Sequence, residues 1–566
     1  MKLSTLLVLF AAAASFAATP MMNQLGFAPP AEKLVILPGN EATPIEIKDL
    51  KGRTVLTVKP SNATVWAASG EQVQVVDFSA ITTPGTYKLY RSGKMLGTPF
   101  LISRGAYADV AKASLKWFYY QRSSTMLEGK YAGLWAREAG HPDTLVQVYG
   151  EQKTINAPKG WYDAGDYGKY VVNSAISVST LLQLYETFPT FFDKLALDIP
   201  KSKKGLPDLL EEIRWNLDWM LAMQDTADGG VYHKLTTLKF SGSVMPAGDT
   251  AQRYVMGKNA IASLDFAGTL AQASNVYRRL DRSYAEKLLA AAEKAYAYAK
   301  AHPTQVFVQP KDVETGEYVP KNEDGKDEFR FAAAELYFAT KKEAYLADLK
   351  ANPFTKNGLW WGDVNYLAIY RVVAAPKVFG DDLFKKAKKI LMDEADALKA
   401  EADTSGYRLA MHEANWTWGS NGAVAGNGGV LLSAYYLTGD KAYLKAAQRS
   451  LDYLLGKNPN RICYVTGFGR KSPRNPHHRP SEADEVDAPV PGMLVGGPHL
   501  GKQDVGQGEL CKDYTTSGKP ALAYLDEQCS YATNEVAINW NSSFAFLAAS
   551  LHAIYNGEKP KLKPAK

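Results

Sequence analysis

The spacing of apolar residues changes once along this chain, near Arg104, and the change demands two different folding units. Upstream, Lys33 to Leu37, Thr54 to Val58, Val73 to Val76 and Thr86 to Tyr90 are short runs rich in β-branched and aromatic residues. Pro38-Gly39, Lys51-Gly52, Pro84-Gly85 and Ser92-Gly93 separate them with turn formers. Short strands at such spacing predict a small all-β sandwich over residues 18–103, with no polar cluster suited to chemistry. Downstream, Leu206, Leu210, Ile213, Leu217 and Leu221 mark one face of a helix. Pro207 stands where a first helical turn tolerates it. Similar runs lie near 107–121, 169–187, 257–275, 283–300, 328–340, 360–374, 382–400, 422–437, 441–455 and 534–555. They predict about a dozen helices with few strands between them. Helical hairpins closed into a barrel over residues 104–558 suit that number, and no strict repeat supports a regular solenoid.

Composition removes several function classes. The chain of 566 residues is 46% apolar and 22% charged, which excludes disorder for most of it. The net charge of +6 is spread along the length, too dilute for a nucleic-acid footprint. Met1-Lys2, the apolar run Leu6 to Ala14, and Ser15-Phe16-Ala17 read as a signal peptide over residues 1–17. That run is too short to span a bilayer, and no other run is long enough, so no membrane partner is expected. The expectation is a protein exported to the periplasm or the medium, acting as a monomer, in which disulfides can form. Cys511 and Cys529 lie close in one loop-rich region and are expected to pair. Three buried thiols are the alternative. Residues 559–566 form a Lys- and Pro-rich tail.

Two stretches break the helical rhythm, Gly150 to Lys169 and Gly456 to Thr533, and loops that long are usually functional or disordered. In the first, Asp163 and Asp166 flank Ala164-Gly165 before a helix. Carboxylates so close can converge on a water or a cation, and each raises the other's pKa. They can equally be turn and helix-cap residues. In the second, Ser472-Pro473-Arg474-Asn475-Pro476-His477-His478-Arg479 gathers two His and two Arg on a Pro-rich segment, expected to lie outside the core. It suits clamping of a hydroxyl-rich ligand through arginine's fork of donors, or a solvated basic loop. The third group is Tyr524 to Asp526 and Tyr531 to Ser542. Thr533 or Asn534 is expected to cap a helix with Glu535 in its first turn. That position lowers a carboxyl pKa, whereas a general acid needs it raised.

Together these residues resemble a glycoside hydrolase family 9 cellulase with an N-terminal immunoglobulin-like domain. Asn23-Gln24-Leu25-Gly26-Phe27 and Asp77-Phe78-Ser79 with Pro84-Gly85-Thr86-Tyr87 resemble the immunoglobulin-like module. Asp163-Ala164-Gly165-Asp166 resembles the catalytic-base motif, Pro476-His477-His478-Arg479 the His-x-Arg motif, and Asp526, Glu535 and Asn541-Ser542 the acid motif. Leu206-Pro207-Asp208, Met223-Gln224, Gly229 to Lys234 and Trp418-Gly419-Ser420-Asn421 agree, in the family's order. The resemblance implies an (α/α)6 barrel with an open cleft that cleaves β-1,4-glucan with inversion and no catalytic cofactor. It implies Asp166 as general base, Asp163 as holder of the water and Glu535 as general acid. It implies sugar binding by His233, His477 and Arg479, with Trp416, Trp418 and Tyr531 lining the cleft. A structural calcium is implied at Glu323, Asp324, Asp327, Glu328 and Asp363, against the alternative of a solvated acidic loop. Relatives also carry a zinc site of Cys and His, but here Ser123 and Gly140 replace thiolates and only His141 remains, so zinc is expected to be lost.

The leading expectation is therefore an endo-β-1,4-glucanase. An exo-acting relative releasing cellobiose or glucose is the nearest alternative, with the 456–533 stretch as the loop that would close one cleft end. A non-catalytic glucan-binding protein of the same fold is the alternative from another class. Retention of Asp163, Asp166 and Glu535 together argues against it.

Overall fold

The computed structural model describes residues 19–320, 324–356 and 359–561. The expected signal peptide, Glu323 and the end of the tail lie outside the described residues. The first unit is a sandwich of β1 (Leu34–Pro38), β2 (Ile45–Asp49), β3 (Thr54–Val58), β4 (Thr64–Val65), β5 (Gln72–Asp77), β6 (Gly85–Arg91) and β7 (Lys94–Ile102). One sheet has the order β1-β5-β4 and the other β3-β2-β6-β7. Alternation places Val35, Leu37, Ile45, Ile47, Val76, Tyr87 and Leu89 inside. Phe27, Phe78 and Phe100 fill the centre, the first two edge to face at 5.3 Å.

Twelve helices of eight or more residues follow among the described residues. They are α1 (Ala108–Tyr120), α2 (Val171–Thr187), α3 (Asp208–Ala222), α4 (Ala260–Tyr277), α5 (Arg282–Ala301) and α6 (Lys326–Thr340). Then come α7 (Glu343–Ala351), α8 (Asn365–Ala374), α9 (Asp381–Thr404), α10 (Ser420–Thr438), α11 (Lys441–Leu454) and α12 (Ile538–Tyr555). Even-numbered helices are buried nearly all round and form an inner ring. In that ring α4 packs on α2 and α6, α6 on α8, and α12 on α10 and α2. Odd-numbered helices bury one stripe each: α9 buries Leu383, Ala387, Leu391, Ala395 and Leu398 and turns its charged residues outward. Close approach needs small residues: a Cβ on Gly428 of α10 would lie 2.8 Å from Leu547 of α12. The architecture is an (α/α)6 barrel.

Two features depart from the sequence expectation. Helix α7 is short, and its pattern is hidden beside α6. A sheet of order β10-β11-β12-β8-β9 also stands among the helices, with β8 (Val146–Val148), β9 (Thr154–Ile155), β10 (Lys169–Tyr170), β11 (Val231–Thr237) and β12 (Arg253–Asn259). All seven residues of β11 are buried, so no alternation announces it.

The barrel also fixes where chemistry can happen. The candidate catalytic and sugar-binding residues lie in segments that run into the N-termini of inner helices: 157–170 into α2, 231–259 into α4, 405–419 into α10 and 456–537 into α12. These segments therefore meet at one end of the barrel. The sandwich touches the same end. Its Trp66 ring lies 4.6 Å from Tyr407, Tyr407 donates to Glu71, and the Ala521 amide donates to the Ala68 carbonyl at 3.0 Å.

Candidate active site

The loop before α2 is folded on itself. The Asp163 amide donates to the Gly168 carbonyl at 3.0 Å, and the Gly168 amide donates to Asp166 Oδ2 at 2.9 Å. The Ile538 amide, at the start of α12, donates to the Asp163 carbonyl at 2.8 Å. The Arg479 amide donates to the Gly165 carbonyl at 3.0 Å. Position 165 must be glycine, because a Cβ there would stand 2.0 Å from the His477 carbonyl oxygen. Asp163 is buried and accepts on both oxygens, from Asn173 Nδ2 at 2.7 Å and from the Tyr318 hydroxyl. Burial pushes its carboxyl up to about 7, with the Asp166 charge adding and the two donors opposing.

Glu535 is not in a helix. It is extended, at φ −70° and ψ 162°, between the turn Tyr531–Asn534 and α12. It forms a parallel bridge with His477, and its carbonyl accepts from the Gly496 amide at 2.7 Å. The expected tension between a helix N-terminus and a raised pKa therefore does not arise. Burial raises the half-buried Glu535 carboxyl well above its ordinary value, then the charges of Asp166 and Asp163. Arg479 and the Gly165 amide oppose this. The charges of Asp163 and Asp166 thus reach Glu535 in a site assembled from loops far apart in sequence.

Asp526 organises the segment beside them. Its carboxylate accepts from the amides of Arg474 at 2.8 Å and Asn475 at 3.1 Å, and from Asn534 Nδ2 at 3.1 Å. His477 commits Nδ1 to the Gln528 carbonyl at 2.7 Å, and burial keeps the ring neutral, so Nε2 is an acceptor. The expectation that this whole segment stays out of the core is corrected for His478 and Arg479, which are buried. His478 bonds Gln121 Oε1 at 3.0 Å, and Gln121 in turn donates to the Ala164 carbonyl at 3.0 Å. Hydrogen bonding makes burial of these polar rings tolerable. Arg479 donates Nε to the Ser241 carbonyl at 2.6 Å, while its Nη1 is buried without a protein partner.

The expected lining residues divide. Trp418 is 42% exposed, 5.4 Å from Tyr531, whose ring lies 6.0 Å from His477. Trp416 instead packs against Trp66 of the sandwich at 5.9 Å. His233 is buried, stacked 4.0 Å from Phe307, with Nε2 on the Glu317 carbonyl at 2.6 Å and Nδ1 on Asn259 at 3.1 Å. Both ring nitrogens are committed to protein partners, so the geometry offers no edge to a sugar. Its neighbour Lys234 donates to the Gly316 carbonyl at 2.7 Å. Strand β11 thereby pins the loop that brings Tyr318 onto Asp163. Tyr318, Asn173, Phe240 and the exposed Trp360 were not singled out from the sequence. No motif or spacing ties Tyr318 to Asp163, and only the Trp360-Trp361 pair carries a visible signal.

Cys511 and Cys529 form a disulfide, and Cys463 is a buried thiol. Of the expected calcium ligands, Asp324 pairs with Lys326 at 2.6 Å on the surface. Asp327 accepts from the Val364 amide at 2.8 Å, and Asp363 from the Asn365 amide at 3.0 Å. Both oxygens of Glu328, and both of Asp265 on α4, are buried with no hydrogen-bond partner. Burial first, then the Asp327 charge, raises both carboxyls well above their ordinary values. All-oxygen donors of this kind suit a hard divalent cation. As the side chains stand, no three acidic groups among the described residues converge on one point, so a cation would have to draw them together. Around His141, Ser123 offers a hydroxyl and Gly140 no side chain, while both imidazole nitrogens bond to Tyr162 and Asp249. This set does not fit zinc.

Comparison with known proteins gives the same grouping. Residues 107–548 match glycosyl hydrolase family 9, and residues 21–94 match the cellulase N-terminal ig-like domain. A xyloglucan-specific endo-beta-1,4-glucanase of Bacteroides ovatus is 39% identical, over 94% of this chain and 93% of its own. A cellodextrinase of Butyrivibrio fibrisolvens is 32% identical, over 94% of this chain and 99% of its own. Among solved structures, AaCel9A in complex with cellobiose-like isofagomine superposes with a TM-score of 0.87. It is 35% identical and covers 94% of this chain and 99% of its own.

Proposed function

Because the chain belongs to glycosyl hydrolase family 9, we propose that it is an inverting endo-β-1,4-glucanase. The observation that carries this reading is the placing of the Glu535 carboxyl, which burial and the charge of Asp166 raise well above its ordinary value. An acid and a base whose environments differ can share one site at neutral pH. Glu535 donates its proton to the leaving glycosidic oxygen. Asp166 takes the proton of a water attacking the opposite face of the sugar, so the configuration inverts. Asp163, held by Asn173 and Tyr318, orients that water. His477 accepts from a sugar hydroxyl through Nε2, and the unspent Nη1 donor of Arg479 serves the same sugar. Trp418 and Tyr531 give the stacking faces.

The reading is tested by product analysis on carboxymethylcellulose, xyloglucan and cellohexaose, wild type beside Asp166→Asn. A fast fall in viscosity with mixed short products, absent in the variant, is expected. A second substrate, xyloglucan, is favoured by the 39% identity to an enzyme named for it. Preference for xyloglucan over unbranched glucan would narrow the reading to that substrate. Slow viscosity loss with only cellobiose or glucose would replace it by the exo mode.

Asp265, Asp327, Glu328 and Asp363 would hold a structural calcium, which would offset the mutual repulsion of buried carboxylates and tie α6 to α4. Chelation is then expected to lower the melting temperature, with calcium restoring it. An unchanged melting curve would contradict the site. Export through residues 1–17 and action as a monomer complete the proposal, tested by N-terminal sequencing of the secreted protein and by light scattering.

A further inference from the structure

Segments far apart in sequence meet at His141. The ring is buried, and its backbone sits at φ +50°, a left-handed conformation that costs a non-glycine residue energy. Its Nδ1 lies 2.7 Å from the Tyr162 hydroxyl and its Nε2 3.2 Å from Asp249 Oδ2. Burial keeps the imidazole neutral. Although burial opposes it, hydrogen bonds from His141 and Ser241 hold the Asp249 carboxyl down to about 2. One proton arrangement satisfies all of this: Tyr162 donates to Nδ1, and Nε2–H donates to the Asp249 carboxylate. Asp249 also accepts from the Ser241 hydroxyl, and the Ser241 carbonyl accepts from Arg479 Nε at 2.6 Å. The path thus runs from the neighbour of Asp163 to the guanidinium whose Nη1 remains unspent. Phe240, 48% exposed, stands 5.7 Å from the same guanidinium.

We propose that His141 and Asp249 are positioning residues, a hydrogen-bonded strut that holds Phe240-Ser241, and through it Arg479, against the bound sugar. The inference rests on the glucanase reading of the site. It assigns His141 a task that leaves it no lone pair for zinc, since Nδ1 accepts a hydrogen bond and Nε2 carries the proton. Cutting the strut leaves the loop folded, because the Tyr167 hydroxyl still donates to the Val244 carbonyl at 2.5 Å. The loss then falls on the placement of Ser241 and Arg479.

The test compares wild type, Asp249→Asn, His141→Gln and Tyr162→Phe in steady-state kinetics on a soluble β-glucan, with melting curves beside them. In Asp249→Asn a neutral amide replaces the charged acceptor, so either its oxygen accepts more weakly from His141 and Ser241 or its NH2 faces their donors. KM is expected to rise about fivefold, the worth of one net hydrogen bond, with kcat changed far less. His141→Gln keeps one donor and one acceptor and is expected to stay nearer wild type than Asp249→Asn. Wild-type KM in Asp249→Asn, or a loss confined to melting temperature and kcat, would overturn the proposal. Zinc measured by mass spectrometry after incubation with zinc chloride is expected to be substoichiometric. One equivalent per chain, lost in His141→Ala, would also overturn it. A wild type that binds cellohexaose without cleaving it would fail the glucanase reading alone. The same comparison on dissociation constants would then still decide the strut.

Discussion

At the scale of single residues, the chemistry depends on Asp163 and Glu535, two carboxyls raised above their ordinary values. Glu535→Gln keeps shape and removes the transferable proton, so a loss of about 10²–10⁴-fold in kcat on oligosaccharides is expected. Substrates with an acidic phenol as leaving group need no protonation and should be spared most of that loss. Equal losses on both would argue against general-acid catalysis. Asp163 makes a separate prediction about stability. Its folded value of about 7 stands above the ordinary 3.8, so the native state prefers the protonated form. That preference stabilises the fold in full below about pH 3.8 and is lost as pH rises to about 7. The difference in melting temperature between Asp163→Asn and wild type should therefore shift in favour of the variant from pH 4 to 7. A difference constant with pH would contradict the raised value. Asp163, Asp166, Glu535, His477 and Arg479 were legible because short motifs bracket them. Tyr318 and Asn173, the donors that hold Asp163, were not, since each is an ordinary residue in an ordinary segment. His233 shows a related limit: a histidine in a buried strand looks the same in sequence whether its ring faces a ligand or, as here, the Glu317 carbonyl and the Asn259 side chain.

At the scale of elements, every long helix was legible from its periodicity, whereas the short α7 and the strand β11 were not, the latter because a strand buried on both faces has no alternation. Glu535 lies outside α12, where residue preferences put it inside. Bridges from His477 to Glu535 and from Val495 to Val536 win over the capping preference of Thr533 and Asn534. The loop from 499 to 530 reaches Tyr531 through two devices. Asp504 accepts from Ser530 at 2.9 Å and from the Ala532 amide at 2.8 Å, and Cys511 is bonded to Cys529. Closing a loop of this length stabilises by about 3 kcal/mol in the chain-entropy account. Cys529→Ser is expected to lower the unfolding free energy by that order in denaturant titration, and reductant should reproduce the effect in wild type only. Equal stability of the variant and the oxidised wild type would count against the bridge.

At the scale of the whole molecule, the sandwich and the barrel share one buried seam. Asn23 donates to Asp452 at 2.8 Å, Arg449 pairs with Glu32 at 2.6 Å, and Trp66 fills the gap between Tyr407 and Trp416. Removing residues 19–103 bares this seam while taking no carboxyl from the site. The truncated chain is expected to aggregate or melt far below the full chain. A stable, soluble but inactive barrel would instead give the sandwich a part in the chemistry. The central claim is that one water, activated by Asp166 and opposed by Glu535, displaces the glycosidic oxygen in a single step. Proton NMR of the anomer released in the first minutes from cellohexaose tests it most directly. The account requires the α-anomer to appear first and then mutarotate; the β-anomer appearing first would mean retention and would contradict it.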